Sequence, residues 1–412
     1  MLKSIEVSGF KSIKKQKIEL GRINVFIGSN GVGKSNILEA VGMLSAAMSG
    51  SISYPILAAK GVRSSAPEIY RTALKGRRPK YFDLHADFDG VRYNCSVFSQ
   101  KNSSDSHWKF HSESFQRKKS SSGKYETFAG RSGRGIKVGE MSFAKESHGN
   151  DTGLMALLSL IGGAEDAEMK KFDSLSDYAI YSPFTNVLRG VSSDSSGVRP
   201  LGLFGGNLAG ALSEALRQKD NSSHLMGVFK LFPWIKGIGY GYFSDLASNS
   251  DRGSMPKEQS LIFRDKYMQE GIGHLYAADV SEGALYVMFI LALLLHDKSP
   301  EIFALDNVDS SLNPGLVKGV VELIARLSEV KGKQLLLTTH NPTALDGIDL
   351  FNDEHRLFVV DRNSDTGETE INRLQPSAGA TRESWMEDTG GAQLSELWLN
   401  GYLGGFAGLN GF

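Results

Sequence analysis

Apolar and polar positions along the chain fall into three textures. The first forty-odd residues hold short apolar segments: Leu2–Ser8 reads as a strand, a second lies near Gln16–Leu20, and Ile23-Asn24-Val25-Phe26-Ile27 is a β-branched run suited to a buried strand. Asn36–Leu44 then carries helical spacing. From about Lys60 the pattern becomes alternating. Tyr81–Phe88 and Val91–Phe98 each switch polar and apolar positions, and Asp89-Gly90 between them signals an antiparallel hairpin. Gln100–Ser147, rich in Ser, Lys, Arg and Gly with scattered aromatics, continues as further meander or as a mobile loop. Between Asp151 and Lys236 the spacing turns helical at Leu154–Leu158 and Leu208–Leu216, separated by a Ser192–Gly197 loop.

The third texture begins near Ser260. Glu282–His296 is mostly apolar, which predicts a largely buried helix. Ile302-Phe303-Ala304-Leu305 is an apolar strand running into Asp306, and Gln334–Thr339 is a strand running into His340-Asn341-Pro342. Arg356–Arg362 with Gly367 and Glu370-Ile371-Asn372 predicts a closing hairpin. There is no internal repeat and no heptad run, so no long coiled coil is expected.

Composition narrows the class. The 412 residues suffice for a large core and for two domains, or for one domain with an insertion. Lys plus Arg equals Asp plus Glu at 46 each, so a polyanionic partner would need a local patch. The one cysteine, Cys95, excludes an intrachain disulfide and fits a cytoplasmic protein. The start of the chain reads as a strand rather than a leader, and the longest apolar run, Ala284–Leu295, is too short for a bilayer span of about 20 residues. No membrane role is expected.

Chemistry enters at Gly28-Ser29-Asn30-Gly31-Val32-Gly33-Lys34-Ser35, which spells G-x-x-x-x-G-K-S between a predicted strand and a predicted helix. That context is what a phosphate-cradling loop requires. Gly28, Gly31 and Gly33 free the backbone to aim amide N–H groups inward, and the helix N-terminus adds partial positive charge. Lys34 reaches the β- and γ-phosphates, the Ser35 hydroxyl binds Mg²⁺, and Asn30, Gly31, Gly33 and Asn36 complete the expected nucleotide contacts. Asp306, at the carboxyl end of a predicted parallel strand, is placed for Mg²⁺ and its water ligands.

These segments stand some 270 residues apart, so one α/β nucleotide-binding domain is split by an insertion. The expected organisation is residues 1–59 as its first part, 60–259 as an inserted β-meander and helical region, and 260–412 as its second part.

In order, the Gly28–Ser35 loop, Val280-Ser281-Glu282-Gly283, Leu305-Asp306-Asn307-Val308-Asp309-Ser310-Ser311-Leu312-Asn313-Pro314 and Thr338-Thr339-His340-Asn341-Pro342 resemble the ABC-type ATPase heads. The nearest likeness is to the RecF and SMC group and to compact bacterial ATPases related to the overcoming-lysogenization-defect proteins. Ser8-Gly9-Phe10-Lys11-Ser12 and the tail Leu394–Gly405 are similar to the same group. The resemblance covers about the first 55 and last 140 residues and implies a P-loop NTPase fold of ABC type, with ATP and Mg²⁺ as ligands. It implies that Ser281 and Gly283 belong to a signature motif capping the γ-phosphate of ATP on a second subunit, that Asp306 is the Mg²⁺-side carboxylate, and that His340 is the switch histidine near the γ-phosphate or attacking water.

One position departs from the pattern: Asn307 stands where the family usually has glutamate. An amide holds water by hydrogen bonds but cannot take its proton. Two readings stand: slow hydrolysis in a nucleotide-gated switch, or Asp309 supplying the missing carboxylate in place of its plainer role as a turn cap.

With about seventy residues after His340, no fused nuclease domain is expected, which places any effector on a separate partner chain. The resulting expectation is an ATP-dependent homodimer or higher oligomer that gates such an effector in bacterial anti-phage defence. The alternatives are a RecF-like DNA-binding repair ATPase and a non-hydrolysing scaffold. DNA would be met by Lys60, Arg63, Arg71, Lys75, Arg77, Arg78 and Lys80, or by Lys109, Arg117, Lys118, Lys119, Lys124, Arg131, Arg134 and Lys137 interleaved with Trp108, Phe110, Phe115 and Tyr125. A solvated loop face balanced by acids elsewhere is the other reading of these clusters.

Overall fold

A computed structural model describes residues 1–75, 78–99, 108–120, 122–144, 149–160, 169–218, 220–242, 259–269 and 274–403. The chain divides into two compact units, one comprising Met1–Ile180, Pro300–Val308 and Gln334–Phe412, the other Tyr181–Ser299 and Asp309–Lys333.

The first unit opens with β1 (Ser4–Phe10), β2 (Ile13–Glu19) and β3 (Ile23–Ile27), followed by α1 (Lys34–Met48) and α2 (Tyr54–Ala59). The meander follows as β4 (Phe82–Asp87), β5 (Val91–Ser99), β6 (Trp108–Lys118), β7 (Tyr125–Ser132), β8 (Gly135–Val138) and β9 (Met141–Phe143). These strands form a sheet in the order β2-β1-β4-β5-β6-β7-β8-β9, and β4 pairs antiparallel with β1 from Ser4↔Asp87 to Ser8↔Asp83. The meander therefore extends the N-terminal hairpin. The compact unit that holds residues 1–59 also holds this meander, because β4 fills the open edge of β1. Alternation in β4 and β5 buries Phe82, Leu84, Tyr93 and Val97 on one face.

Helices α3 (Leu154–Leu160) and α4 (Lys170–Ser176) lead to the short β10 (Ile180–Tyr181). The second sheet takes β3, β10, and four strands from later in the chain. In the second unit come α5 (Thr185–Leu188), α6 (Leu208–Arg217), α7 (Leu225–Leu231), β11 (Ile235–Tyr242), β12 (Gln259–Asp265), β13 (His274–Tyr276) and α8 (Glu282–Leu295). The chain then supplies β14 (Ile302–Leu305) to the first unit, α9 (Pro314–Lys331) to the second, and β15 (Gln334–Thr339), β16 (His355–Arg362), β17 (Thr369–Leu374), α10 (Arg382–Asp388) and α11 (Leu394–Leu399) to the first.

The second sheet runs β10-β14-β15-β3-β16-β17, with β14, β15, β3 and β16 mutually parallel and β17 antiparallel at the edge. The expected closing hairpin is β16–β17. Asn24 interrupts the apolar run of β3 because its side chain is satisfied inside: its amide donates to Gly21 O at 2.9 Å and Leu335 O at 3.0 Å, and its oxygen accepts from Gly21 N at 2.8 Å. Phe26 stacks on Phe358 of the neighbouring strand with centroids 4.8 Å apart.

Within the second unit, every residue of α8 from Gly283 to Leu295 is buried, as its mostly apolar sequence predicts, and α6 and α9 pack against it. Helix α9 starts where Asn313 accepts the Leu316 amide at 3.0 Å with Pro314 at the first helical position, and stops at Gly332, whose φ is 67°. Among the described residues, no helix is long and apolar enough to cross a membrane.

Candidate functional site

The loop between β3 and α1 is shaped by glycines with different reasons to be there. Gly31 and Gly33 sit at φ +82° and +109°, a region that side chains disfavour. Gly28 is required by space: a Cβ there would lie 2.1 Å from the Val360 carbonyl oxygen of β16. Lys34, the first residue of α1, is only 7% exposed, and its ammonium donates to the Gly28 and Ser29 carbonyls at 2.7 and 2.9 Å. Those bonds fold the cation back over the loop, where it faces whatever the loop encloses. Asn30 and Gly31 are exposed at the crest.

The strand-end carboxylate of Asp306 lies one parallel strand away from β15 and two from β3. Asp306 follows β14, and Ser35 Oγ donates toward its two carboxylate oxygens at 3.2 and 3.0 Å. Thr338, buried near the end of β15, donates to Asp306 Oδ1 at 2.5 Å and accepts the Asn307 amide at 2.8 Å. Its own carbonyl accepts the Val308 amide at 2.9 Å. Asn307 has φ 57°, a left-handed conformation that asparagine tolerates better than most residues, and it is exposed. His340 is exposed immediately after β15. The carboxyl ends of β3, β15 and β14 thus bring the loop, His340 and Asp306 to one edge of the sheet, where ligands of parallel sheets bind.

Behind the loop runs a chain of hydroxyls. Asn36 Nδ2 donates to Ser12 Oγ at 2.7 Å, Ser12 and Thr369 hydroxyls lie 2.6 Å apart, and Thr369 donates to the Val32 carbonyl at 2.7 Å. With Thr369 committed to Val32 and Ser12 accepting from Asn36, Ser12 must be the donor to Thr369. A loop carbonyl, the β1–β2 turn and β17 are held in one cooperative series. Asn36 was expected to contact nucleotide; its side-chain amide has this scaffold partner. Next to it, the buried Glu39 of α1 receives Lys11 and Arg63, and burial lowers the Lys11 ammonium from its usual value. Nothing in their own segments marks Thr338 or Thr369 for these roles. Thr338 sits inside a motif already singled out, but nothing in Thr-Thr-His states which threonine faces the neighbouring carboxylate.

The remaining expected site residues belong to the second unit. Ser281 caps α8 with its backbone and makes no side-chain cap bond, so the hydroxyl is not consumed by its own helix. Gly283 is buried, and a Cβ there would meet the Ser311 carbonyl oxygen at 3.1 Å. Asp309 is 6% exposed, and its carbonyl accepts the Leu312 amide at 3.3 Å.

Among the described residues, the aromatics of the second basic stretch do not form a stacking surface. Trp108, Phe110 and Phe115 are at most 2% exposed, inside the core that the meander covers, and Tyr125 lies under Arg92 at 3.6 Å. Arg131 is buried against Glu113, while Arg117 and Lys119 pair with Glu126 at 3.1 and 2.7 Å. Lys60 is buried with its ammonium on the Ser176 carbonyl, burial pushing it down to about 8, and Arg63 is held by Glu39. Arg77 lies outside the described residues, as do Gly404 and Gly405 of the tail. The aromatic spacing that read as interleaving is the inward period of β6.

Comparison with solved structures finds SMC heads. A head bound to the C-winged helix domain of ScpA is 15% identical over 92% of this chain and 99% of its own, with TM-score 0.48. The Thermotoga maritima SMC head domain is 15% identical over 91% and 99%, with TM-score 0.41. A head with an extended coiled coil, bound to the C-terminal domain of ScpA derived from Pyrococcus furiosus, is 14% identical over 94% and 98%, with TM-score 0.44. No curated protein matches in sequence. A protein family described as "AAA domain, putative AbiEii toxin, Type IV TA system" matches residues 23–346, from the strand before the phosphate loop to just past His340. By that match, over most of its length, the chain belongs to this AAA-domain family.

Proposed function

We propose that the chain binds ATP with Mg²⁺ at the Gly28–Ser35 loop, hydrolyses it slowly, and uses the bound state to assemble with a second copy and gate a separate effector. The observation that carries the reading is the Ser35–Asp306 contact, 3.0 Å between a helix N-terminal hydroxyl and a strand-end carboxylate. Two hard oxygen donors this close suit a small divalent cation that retains waters and also binds phosphate. Ser35 and Asp306 would hold the ion, which supplies neutralisation of phosphate charge.

The chain's own residues do the rest. Loop amides and the α1 terminus bind the phosphates, and Lys34 exchanges its carbonyl partners for phosphate oxygens. Thr338 orients Asp306. His340 and Asn307, both exposed at the sheet edge, hold a water or the terminal phosphate by hydrogen bonds. Asn307 cannot accept the water's proton, which is why turnover is expected to be slow. Asp309 is the candidate acid for that step, and the competing outcome is a nucleotide-bound scaffold that does not turn over.

Ser281 and Gly283 are assigned to the γ-phosphate of a second copy, making assembly dependent on ATP. The gated-effector role follows the toxin–antitoxin wording attached to the family and the resemblance to compact defence ATPases. Steady-state hydrolysis with Mg²⁺ in the native chain, Lys34→Ala and Asp309→Ala, with sizing in ATP, tests the reading. Loss of turnover in both variants establishes an ATPase using Asp309. ATP-dependent assembly without turnover above Lys34→Ala establishes the scaffold. Neither turnover nor assembly rejects the nucleotide switch.

A further inference from the structure

Within the second unit, one carboxylate oxygen gathers two segments that lie far apart in sequence. Glu282, the first helical residue of α8, accepts through Oε1 the hydroxyls of both Thr185, at the start of α5, and Ser311, in the turn before α9. These two hydroxyls hold the Glu282 carboxyl below its ordinary range, against a burial effect that would raise it. The turn is brought close by a second device. Gly283 leaves room for the Ser311 carbonyl, which a Cβ would meet at 3.1 Å. Ser311 itself is held at φ 64°, a conformation a serine keeps only when its surroundings specify it.

We propose that Glu282 is a positioning residue that locks the Ser281–Gly283 start of α8 to the Asp309–Ser311 turn, so that the two segments shift as one body. Resting on the reading that Ser281 meets a phosphate of a second copy, this lock carries that contact to Asp309, the candidate acid. Glu282 touches no reacting atom. Its carboxylate is the joint, and the charge matters because a hydrogen bond to an ionised acceptor is about twice as strong as one between neutral groups.

Hydrogen–deuterium exchange on the full chain without nucleotide tests the lock itself. In Glu282→Ala, amides within 309–313 should exchange about tenfold faster or more, while those in 28–36 stay as in the native chain. Glu282→Gln, which keeps an acceptor oxygen, should fall between the two. Unchanged exchange at 309–313 in Glu282→Ala overturns the proposal. If that variant does not fold, Ser311→Ala, at an exposed position, decides by the same measure. Adding Mg²⁺ and ATP tests the transmission: protection of 281–285 and of 309–313 should rise together in the native chain and separate in Glu282→Ala. Joint protection retained in that variant also overturns it. A native chain with no nucleotide-dependent protection counts against the ATP reading alone, since the nucleotide-free exchange still decides the role of Glu282.

Discussion

Thr338 and Asp306 are joined by a 2.5 Å hydrogen bond, and the same threonine oxygen accepts the Asn307 amide at 2.8 Å. One buried hydroxyl therefore fixes the direction of a carboxylate and the left-handed backbone that follows it. Thr338→Val keeps shape and removes both bonds, leaving the Asn307 amide without this acceptor. The expected cost is about 1–3 kcal/mol of stability. Nucleotide affinity should fall in Mg²⁺ and stay near native in EDTA, because the damage is to Asp306 and not to the loop. Thr338→Ser should restore both. Urea unfolding and fluorescent-nucleotide titration measure these outcomes, and an equal loss of affinity with and without Mg²⁺ would rule out the orienting role.

Asn307 offers a separate test of the slow turnover proposed above. At φ 57° aspartate is tolerated nearly as well as asparagine, and it is isosteric. Asn307→Asp should therefore leave the melting temperature close to native. If the missing proton acceptor limits hydrolysis, turnover should rise by about 10²-fold, the usual scale of general-base assistance. Steady-state phosphate release measures it. No rise would place the limit elsewhere, in assembly or product release.

These two residues also show how far the sequence could be read. The strand–loop–helix unit, the buried α8, the hairpin at Asp89-Gly90 and the strand before Asp306 were all legible, because each rests on local periodicity or turn chemistry. That the meander joins the sheet of β1 was not. It depends on β4 pairing with the open edge of β1, and an edge has no local signal. The aromatics of the second basic stretch were ambiguous for a related reason. A sequence shows that Arg131 and Phe110 alternate with polar residues but not which face is inward, and in the structure the aromatic face is the core. Thr338 and Thr369 were hidden because their roles come from neighbouring strands, not from their own segment.

Gly31 and Gly33 should respond differently to the same change. Both have positive φ, so Ala at either position carries backbone strain of about 1 kcal/mol. At Gly31 the new Cβ meets nothing within 4 Å. At Gly33 it would lie 2.2 Å from Thr369 Oγ1 and 2.9 Å from Ser12 Oγ, breaking the hydroxyl series behind the loop. Gly33→Ala should lose stability by about 2–4 kcal/mol, the range for overpacking plus strain, and lose nucleotide binding with it. Gly31→Ala should show only the smaller stability loss. Thermal melts of the two variants side by side check the contrast, and equal losses would mean that Thr369 yields to the intrusion.

Glu113 makes the stability of the meander depend on pH. Its carboxylate is 2% exposed and accepts the Tyr93 hydroxyl at 2.9 Å and the Leu154 amide at 3.1 Å, with Arg131 Nε at 3.4 Å. Burial pushes it up to about 7 from 4.5, and the charge of Arg131 with these hydrogen bonds recovers only part of the shift. A carboxyl whose folded value is raised binds more protons folded than unfolded between those limits. Its contribution is thus fully present below about 4.5 and is lost as pH rises through about 7. At 1.36 kcal/mol per unit the swing is at most about 3 kcal/mol. Glu113→Gln has no proton to lose, so its stability relative to the native chain should rise from pH 5 to pH 7.5 by an amount up to that size. Urea midpoints of both proteins at pH 5, 6 and 7.5 measure it. A difference that stays constant with pH would mean that Arg131 keeps Glu113 ionised throughout and that the pair is a permanent buried salt bridge.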